Sequence, residues 1–252
     1  MNRTIKQLIY GSLYLVILGL LGWGIYGLVK PTASCFDQKL NQDEEEVDCG
    51  GSNCQSCAIK RLKPIQTSPV QLFPIDEHIL SLSFELINPN AAYGAEFTYD
   101  IVFDGAQGSE SPTVTKRSFI YPAEVKTVVE AGIALPAALP AGASVSLRDL
   151  SWRPLAEFSA PRVVVRDVRV EVDGAAHEAA ITGVVANQSS RFLPRVVLNA
   201  VISDGSGVAI GVSRTLVQDL APSQERFFKI VVPAIYAAQI SPDAVAFFIE
   251  AR

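Results

Sequence analysis

The order of hydrophobic and polar positions divides the chain into two contrasting parts. The stretch from Leu8 to Val29, LIYGSLYLVILGLLGWGIYGLV, is apolar and contains no charged side chain. At about 1.5 Å per residue, a helix of this length crosses a bilayer core of roughly 30 Å. Only a helix satisfies its own backbone hydrogen bonds in lipid, and aromatic rings near its ends suit the membrane interface. We therefore predict a membrane-spanning helix over 8–29, preceded by a cytoplasmic tail over 1–7.

After residue 58 the pattern becomes that of short β-strands. Val168-Arg-Val-Glu-Val172 alternates apolar with charged positions, and the segments 195–204 and 225–232 are rich in Val, Ile and Phe, with turn residues between such runs. Strands at intervals of about 8 to 12 residues are typical of a small antiparallel β-sandwich of the immunoglobulin or fibronectin type. The predicted fold class is mainly β, with one transmembrane helix, a small disulfide-rich stalk and tandem sandwiches.

The β-rich region repeats itself with a period of about 100 residues, which predicts two copies of one domain. We assign them to 64–153 and 161–252, joined by a linker whose prolines, Pro154 and Pro161, limit bending. We expect this linker to hold the copies as an elongated pair. The aligned segments are Phe84–Asn88 with Gly183–Asn187, Phe97–Asp104 with Val197–Asp204, Tyr121–Glu124 with Ala221–Gln224, and Val145–Trp152 with Val245–Arg252.

Charge indicates the orientation of the predicted helix. Arg3, Lys6 and the α-amino group precede it, and only Lys30 and Lys39 are basic in the segment that follows. Because positively charged flanks remain in the cytoplasm, we expect the cell membrane to hold a cytoplasmic N-terminus and extracytoplasmic domains. The alternatives are a cleaved signal peptide, whose apolar segment is usually about 7 to 15 residues, and lipid attachment at Cys35.

All four cysteines lie in the segment 35–57, and we assign them to disulfides. An even number of cysteines just outside a membrane indicates two bridges in an oxidising compartment, with the connectivity left open. A four-cysteine zinc site is the alternative, although only one pair has the usual zinc half-site spacing. The residues are Cys35, Cys49, Cys54 and Cys57.

The chain between the first two cysteines is strongly acidic. Hard oxygen ligands at this density suit Ca²⁺ better than a softer metal, and a bound cation would offset their repulsion. The alternative is a solvated acidic loop that keeps the stalk extended. No other cofactor is expected. The candidate calcium ligands are Asp37, Asn41, Asp43, Glu44 and Asp48.

Two segments carry resemblances to known bacterial sequences. The run CFDQKLNQDEEEVDCGGSNCQSC, over 35–57, resembles a motif of bacterial surface proteins, approximately C-x-D-G-x-x-N-x-x-E-x-x-V-D-C-G-G-x-C-x-x-C. In this chain Gln38 replaces the glycine, and one extra residue precedes Cys54. The resemblance implies an extracytoplasmic bacterial protein.

In the second copy, an Asn187-x-Ser189 turn, a strand ending in Asp204-Gly205, and Leu220-Ala-Pro222 before a strand with Phe227 resemble the prokaryotic immunoglobulin-like domains called FxLYD. Ser223 replaces their glycine. This resemblance implies a binding or assembly module without catalytic residues.

The sequence offers little for catalysis or nucleic acid binding. The formal net charge is −5, and no basic cluster exceeds Lys60-Arg61-Lys63. The two histidines, His78 and His177, do not occupy equivalent repeat positions, and neither a nucleophile elbow nor a phosphate-binding loop is present. We therefore expect a non-enzyme without a small-molecule substrate.

The sequence as a whole predicts a single-pass membrane protein that presents two immunoglobulin-like domains to other proteins of the cell envelope, for interaction or assembly. A surface adhesin or cell-wall-binding protein is the first alternative. An envelope enzyme with its site between the sandwiches and a sensor with a separate cytoplasmic partner are the others.

Overall fold

The computed structural model describes residues 3–29, 34–41, 43–104, 112–136, 139–173, 178–233, 240 and 245–252. His177 lies outside these residues. The chain divides into two compact units, Met1–Leu62 and Lys63–Arg252.

The first unit begins with helix α1, Arg3–Val29. Its segment Ile5–Tyr26 has a mean hydropathy of 1.9, is long enough to cross a membrane, and is 0% buried by the rest of the protein. The predicted apolar helix is therefore confirmed, although it starts before residue 8. The cysteine-rich part contains the short helix α2, Cys57–Lys60, and the disulfides Cys35–Cys54 and Cys49–Cys57.

The second unit is built from antiparallel strands in two sets. The first set is β1 (Gln66–Thr67), β2 (Gln71–Pro74), β3 (Ile79–Ile87), β4 (Tyr93–Phe103), β5 (Thr113–Ile120), β6 (Val125–Ala134) and β7 (Ala143–Pro154). The second set is β8 (Val163–Asp173), β9 (Glu178–Asn187), β10 (Leu193–Ser203), β11 (Ala209–Leu220), β12 (Glu225–Val232) and β13 (Val245–Ala251).

Each set forms a sandwich with the same strand order. In the first sandwich, β3 lies between β1 and β2 on one side and β6 on the other, and this sheet packs on a sheet of order β5-β4-β7. In the second sandwich the sheets have the orders β12-β9-β8 and β11-β10-β13. Strand β8 therefore corresponds to β1 and β2 together, and β9, β10, β11, β12 and β13 correspond in order to β3, β4, β5, β6 and β7. The tandem β-sandwich fold is therefore confirmed.

The repeat extends to a buried asparagine in each copy. The Asn88 side-chain amide donates to the carbonyl oxygens of Tyr93 at 2.7 Å and Tyr121 at 2.9 Å. Asn187 donates to the Arg191 carbonyl at 2.7 Å in the same way. Buried polar groups are tolerated when such bonds are complete. The asparagines aligned by sequence thus connect the end of one strand to neighbouring turns in both sandwiches.

The turn that precedes β6 in the first sandwich is repeated before β12 in the second. Ala123 and Ser223 both adopt the left-handed backbone region, with φ of 54° and 59°. Glu124 and Gln224 then accept a hydrogen bond from the backbone N–H three residues earlier, at 2.6 and 2.8 Å. Glycine adopts positive φ without steric cost, so this turn position favours glycine over the Ser223 that this chain has there.

Replacing Ser223 with glycine is expected to stabilise the second unit by about 1 kcal/mol, because the strain of a non-glycine residue at positive φ is removed. The melting temperature of the full chain measures this effect. The matched control is Ala221→Gly, at a turn position without positive φ, which is expected to lower the melting temperature. An equal decrease for both variants would contradict the prediction.

The hydrophobic cores follow the alternation of each strand. Leu80, Leu82, Phe84 and Leu86 on β3 are buried between the sheets of the first sandwich. In the second sandwich, β12 buries Phe228, Ile230 and Val232 in the core, whereas the neighbouring Phe227 is exposed. The aromatic position that the FxLYD resemblance assigned to Phe227 therefore differs from the core position by one residue, which in a strand moves the side chain to the opposite face.

The two sandwiches are in direct contact, so the expectation of an elongated pair was wrong. β10 contacts β6, and β11 contacts β2, β3 and β6. Phe73 and Val129 from the first sandwich are buried in the core cluster of the second. The prolines of the linker restrict only local backbone angles, whereas the outward-facing side chains of β2, β6 and β11 determine that the sandwiches pack together.

Candidate functional site

The most distinctive site of the second unit lies where the sandwiches meet. β5 and β6 are edge strands of the two sheets of the first sandwich, and β10 and β13 of the second sandwich lie against them. Two cavities here, of about 310 and 410 Å³, share the lining residues Arg117, Ser118, Arg195, Val197 and Glu250. We call this pair of cavities the inter-sandwich cleft.

A buried carboxylate on β6 connects the two sandwiches. Glu130 is 5% exposed, and its carboxylate accepts a hydrogen bond of 2.6 Å from the Tyr99 hydroxyl. The Arg214 guanidinium of β11 lies 2.9 Å from the other carboxylate oxygen and also donates to the Val129 carbonyl at 2.9 Å. Burial, followed by the neighbouring Glu130 carboxylate, raises the pKa of Tyr99 above its usual range. Tyr99 therefore stays protonated and serves as a donor.

A buried lysine makes a second connection. Lys126 is as buried as Glu130, and its ammonium group lies 3.0 Å from the Glu250 carboxylate of β13. It also donates to the Phe119 carbonyl at 2.7 Å and the Ser118 hydroxyl at 3.0 Å, and lies 4.0 Å from the centre of the Phe119 ring. Burial lowers the pKa of Lys126, and the Glu250 carboxylate opposes this effect. The ammonium is thus held by partners from both sandwiches.

An aromatic cluster flanks these ion pairs. Phe119, Tyr121 and Phe158 form a small buried group of rings. The Tyr121 hydroxyl donates to the Ala251 carbonyl at 2.8 Å, and the Arg252 guanidinium lies 5.5 Å from the centre of the Phe158 ring. Cation–π contacts of this kind contribute about 0.5–1 kcal/mol when exposed. The cluster therefore adds further contacts between the end of β13 and the first sandwich.

The Tyr121 hydroxyl predicts a loss of stability at high pH. Burial raises the pKa of Tyr121 to about 12, while the unfolded chain ionises near pH 10. The unfolded state therefore binds fewer protons above pH 10, and stability falls as the pH rises from 10 towards 12. We expect Tyr121→Phe to flatten this part of the stability curve, measured by denaturant unfolding at each pH. Identical slopes for the two proteins would contradict the assignment.

The residues of this interface were missed by the sequence analysis, although a signal was present. In Val125-Lys-Thr-Val-Val-Glu130, the charged Lys126 and Glu130 occupy the same alternating positions as the buried Val128. A charge in phase with core residues indicates a buried pairing site, because unpaired charges are not buried. The partners Arg214 and Glu250 are distant in sequence, and no local pattern identifies them.

The cysteine-rich part of the first unit is organised around its two disulfides and a pair of glycines. Cys49 and Cys57 are buried there. Gly50 and Gly51 both have positive φ, of 82° and 70°. Next to them, the Asp43 carboxylate accepts hydrogen bonds of 2.6 Å from both the backbone N–H and the hydroxyl of Ser52. The positive φ values explain why glycines occupy positions 50 and 51, and the two hydrogen bonds to Ser52 explain the acid at position 43.

Replacing Gly51 with alanine is expected to destabilise this fold by about 2 kcal/mol or more, since φ is positive and an added Cβ would lie 2.2 Å from the Asp43 carbonyl oxygen. Mass-spectrometric mapping of the disulfides measures the result as a smaller fraction of correctly paired protein. Gly205→Ala, where a Cβ meets nothing within 4 Å, is the matched control. Normal pairing in Gly51→Ala would contradict this expectation.

The candidate calcium ligands have different hydrogen-bond partners in the structure. The Asn41 side-chain amide donates to Asp37 at 2.8 Å, and the Asn41 backbone N–H donates to Glu44 at 3.2 Å, so these residues lie together. Asp43 instead binds Ser52, and Asp48 accepts a bond of 2.9 Å from the Gln38 backbone N–H. The Asn41 side-chain oxygen is buried and has no hydrogen-bond partner.

Groups of three Cys, His, Asp or Glu ligand atoms also occur in this part of the chain. Within the described residues, each such group contains two cysteines: Cys35 and Cys54 with Glu44, and Cys49 and Cys57 with Glu46. Both pairs of cysteines are disulfide-bonded, so their sulfurs are not available as thiolate ligands. The zinc alternative of the sequence analysis therefore has no support in this geometry.

Comparisons with known proteins identify no family. No family model and no curated protein matches the chain. Among solved structures, the crystal structure of red sea bream transglutaminase is similar over 70% of this chain and 28% of that chain, with 14% identity and a TM-score of 0.27. A similarity at this level supports no statement about activity.

Proposed function

We propose that this protein is anchored in a membrane by α1 and presents its two sandwiches outside the cytoplasm as a non-catalytic module for contact with other envelope proteins. The observation that carries the proposal is that the apolar segment Ile5–Tyr26 is 0% buried. So large an apolar surface is stable only when lipid or protein covers it. The positively charged residues before it support a cytoplasmic N-terminus.

The fold and the disulfides support the extracytoplasmic part of the proposal. Disulfides persist in oxidising compartments outside the cytoplasm. Membership of the FxLYD domains and of the bacterial cysteine-motif proteins belongs to the same proposal, and the repeated strand order and the Gly50-Gly51 geometry support it.

The edge strand β12 is the surface on which we place protein contact. Among the described strands, β12 pairs only with β9, and its outward face carries Phe227, which is 69% exposed, and Val231. Lys229 lies between them on the same face. An edge strand offers unpaired backbone groups to another chain, and a charged residue within it limits unspecific pairing. On β12 the Val231 carbonyl already accepts a hydrogen bond of 2.7 Å from the Ser213 hydroxyl of β11, so the remaining backbone groups of the edge are the ones on offer. This combination favours a specific protein partner.

Photo-cross-linking in the native membrane tests the proposal. A photoreactive residue at position 227 of the full chain is expected to capture defined envelope proteins, which are identified by mass spectrometry. The same residue at the exposed position 162 serves as the control. Capture of cell-wall polymer instead would favour the adhesin alternative, and capture of nothing in an intact membrane would contradict the proposal.

Calcium binding is a separate part of the proposal. We place Ca²⁺ at Asp37, Asn41 and Glu44, because Asn41 is hydrogen-bonded to both carboxylates and its own side-chain oxygen has no partner. Calcium is expected to protect the cysteine-rich part from proteolysis, and Asn41→Ala is expected to abolish this protection. Asp43→Asn is the control, since Asp43 is already bonded to Ser52. Equal digestion with calcium and with chelator would contradict this assignment.

A further inference from the structure

The inter-sandwich cleft contains a polar atom that the protein leaves unpaired. Asn199, in the middle of β10, is 2% exposed and lines the cavity of about 310 Å³. Its side-chain oxygen is buried and makes no hydrogen bond. An unpaired buried acceptor costs about 1–3 kcal/mol of stability. Such a group at a cavity wall indicates that a donor from outside the protein completes it.

The same cleft has an excess of positive charge. Arg214 is paired with Glu130, and Arg252 with Glu96. By contrast, three other cations of the lining make no salt bridge with any described residue. They are Lys116, Arg117 and Arg195. Their convergence on one cleft is notable in a protein whose formal net charge is −5.

The outer part of the cleft has a different character. Phe119, Pro194 and Val197 contribute apolar surface to the cavity of about 410 Å³, next to Arg117 and Arg195. Ligand sites are commonly clefts of about 300–1,000 Å³ in which a few polar groups orient the ligand beside apolar walls. Both cavities fall in this range, and together they offer cations, an acceptor and an apolar wall.

We propose that the inter-sandwich cleft binds a small organic oxyanion, a carboxylate or a phosphate ester, that also carries an O–H or N–H donor. The anionic group meets Lys116, Arg117 and Arg195, and the donor reaches the Asn199 side-chain oxygen. Charge-assisted hydrogen bonds to arginine are the stronger part of this recognition. The ligand touches both sandwiches, so its binding stabilises their contact. This inference goes beyond the proposed function and does not depend on the partner bound at β12.

Calorimetric titration of the full chain in detergent micelles tests the proposal with three matched probes. Glucuronate carries a carboxylate, glucose 6-phosphate carries a phosphate, and glucose has the hydroxyl donors alone. We expect at least one anion to bind and glucose not to bind. The anion that binds more tightly distinguishes a carboxylate from a phosphate ligand. Binding is expected to weaken with added salt, because the cations are on an exposed rim.

Variants of the lining residues test whether the measured anion binding takes place in the inter-sandwich cleft. Arg195→Gln is expected to lower the affinity about tenfold, which corresponds to the loss of one hydrogen bond to a charged group. Arg162→Gln removes an equal charge at an exposed position outside the cleft lining and is expected to leave anion binding unchanged. Asn199→Leu is expected to remove binding without lowering the melting temperature, since it replaces an unpaired polar group with an apolar one of similar size.

The proposal is overturned if neither anion binds at millimolar concentration, or if Arg195→Gln binds as tightly as the unaltered chain. A decrease in melting temperature for Asn199→Leu without any ligand effect would also overturn it, since Asn199 would then be satisfied by an ordered water. These outcomes leave the cross-linking test at position 227 unaffected, so failure of this inference is separate from failure of the proposed function.

Discussion

Replacing Glu130 with leucine is expected to lower the free energy of unfolding of the second unit by about 3 kcal/mol. The variant leaves the buried Tyr99 hydroxyl and the Arg214 guanidinium without their common acceptor. Breaking a buried ion pair costs about 3–5 kcal/mol, and the lower value applies because the Arg214 side chain is 32% exposed and partly screened by solvent. A decrease in melting temperature of about 6–12 °C corresponds to this loss.

A double-mutant cycle isolates the pairing from the loss of either side chain. Glu130→Leu combined with Arg214→Met is expected to recover part of the loss, because no buried charge then remains unpaired. The exposed pair Arg166–Glu225 is the control, and Glu225→Gln is expected to change stability by less than about 0.5 kcal/mol. An unchanged melting temperature in Glu130→Leu would show that the contact between the sandwiches rests on the apolar residues alone.

Loss of the Cys35–Cys54 disulfide is expected to unfold the cysteine-rich part of the first unit. This bridge has a sequence separation of 19, and in the chain-entropy description a loop of that size contributes about 3 kcal/mol. The buried hydrophobic residues described in this part are themselves cysteines, Cys49 and Cys57. Limited proteolysis of Cys35→Ser/Cys54→Ser, followed by mass spectrometry, is expected to show rapid cleavage between residues 34 and 62.

The second bridge provides a graded comparison. Cys49–Cys57 has a sequence separation of only 8, which corresponds to about 2.5 kcal/mol. Its removal is expected to have a smaller or equal effect on the cleavage rate. The segment Lys63–Arg252 contains no cysteine, so its cleavage rate is the internal reference. Full protection of the cysteine-rich part in the double variant would show that the disulfides are dispensable for its fold.

Contact between the sandwiches changes what the second unit can do. Sandwiches joined by a flexible linker would present two independent surfaces, whereas paired charges at Lys126–Glu250 and Glu130–Arg214 fix one sandwich on the other. A ligand in the cleft between them would add to this contact by mass action, since only the docked arrangement contains the site. The inter-sandwich cleft therefore exists only while the two sandwiches are docked on each other.

The sequence by itself determined the features that depend on local periodicity. A continuous apolar run predicts a spanning helix, and alternating runs separated by turn residues predict strands. The copies could be aligned because each strand and turn is repeated at the same spacing, and Asn88 and Asn187 make equivalent bonds for that reason. The even number of cysteines and the expected compartment predicted two disulfides, without their connectivity.

Only the tertiary structure decided which distant residues meet. It paired Cys35 with Cys54 and bonded the Asp43 carboxylate to Ser52, whereas Asp37 and Glu44 are bonded to Asn41. It also placed Arg214 of β11 beside Glu130 of β6, and this contact overturned the expectation of an elongated pair. These outcomes depend on side chains that lie far apart in sequence and on the packing of whole sheets. The energy of such contacts is realised only after the strands are assembled, so no local pattern encodes it.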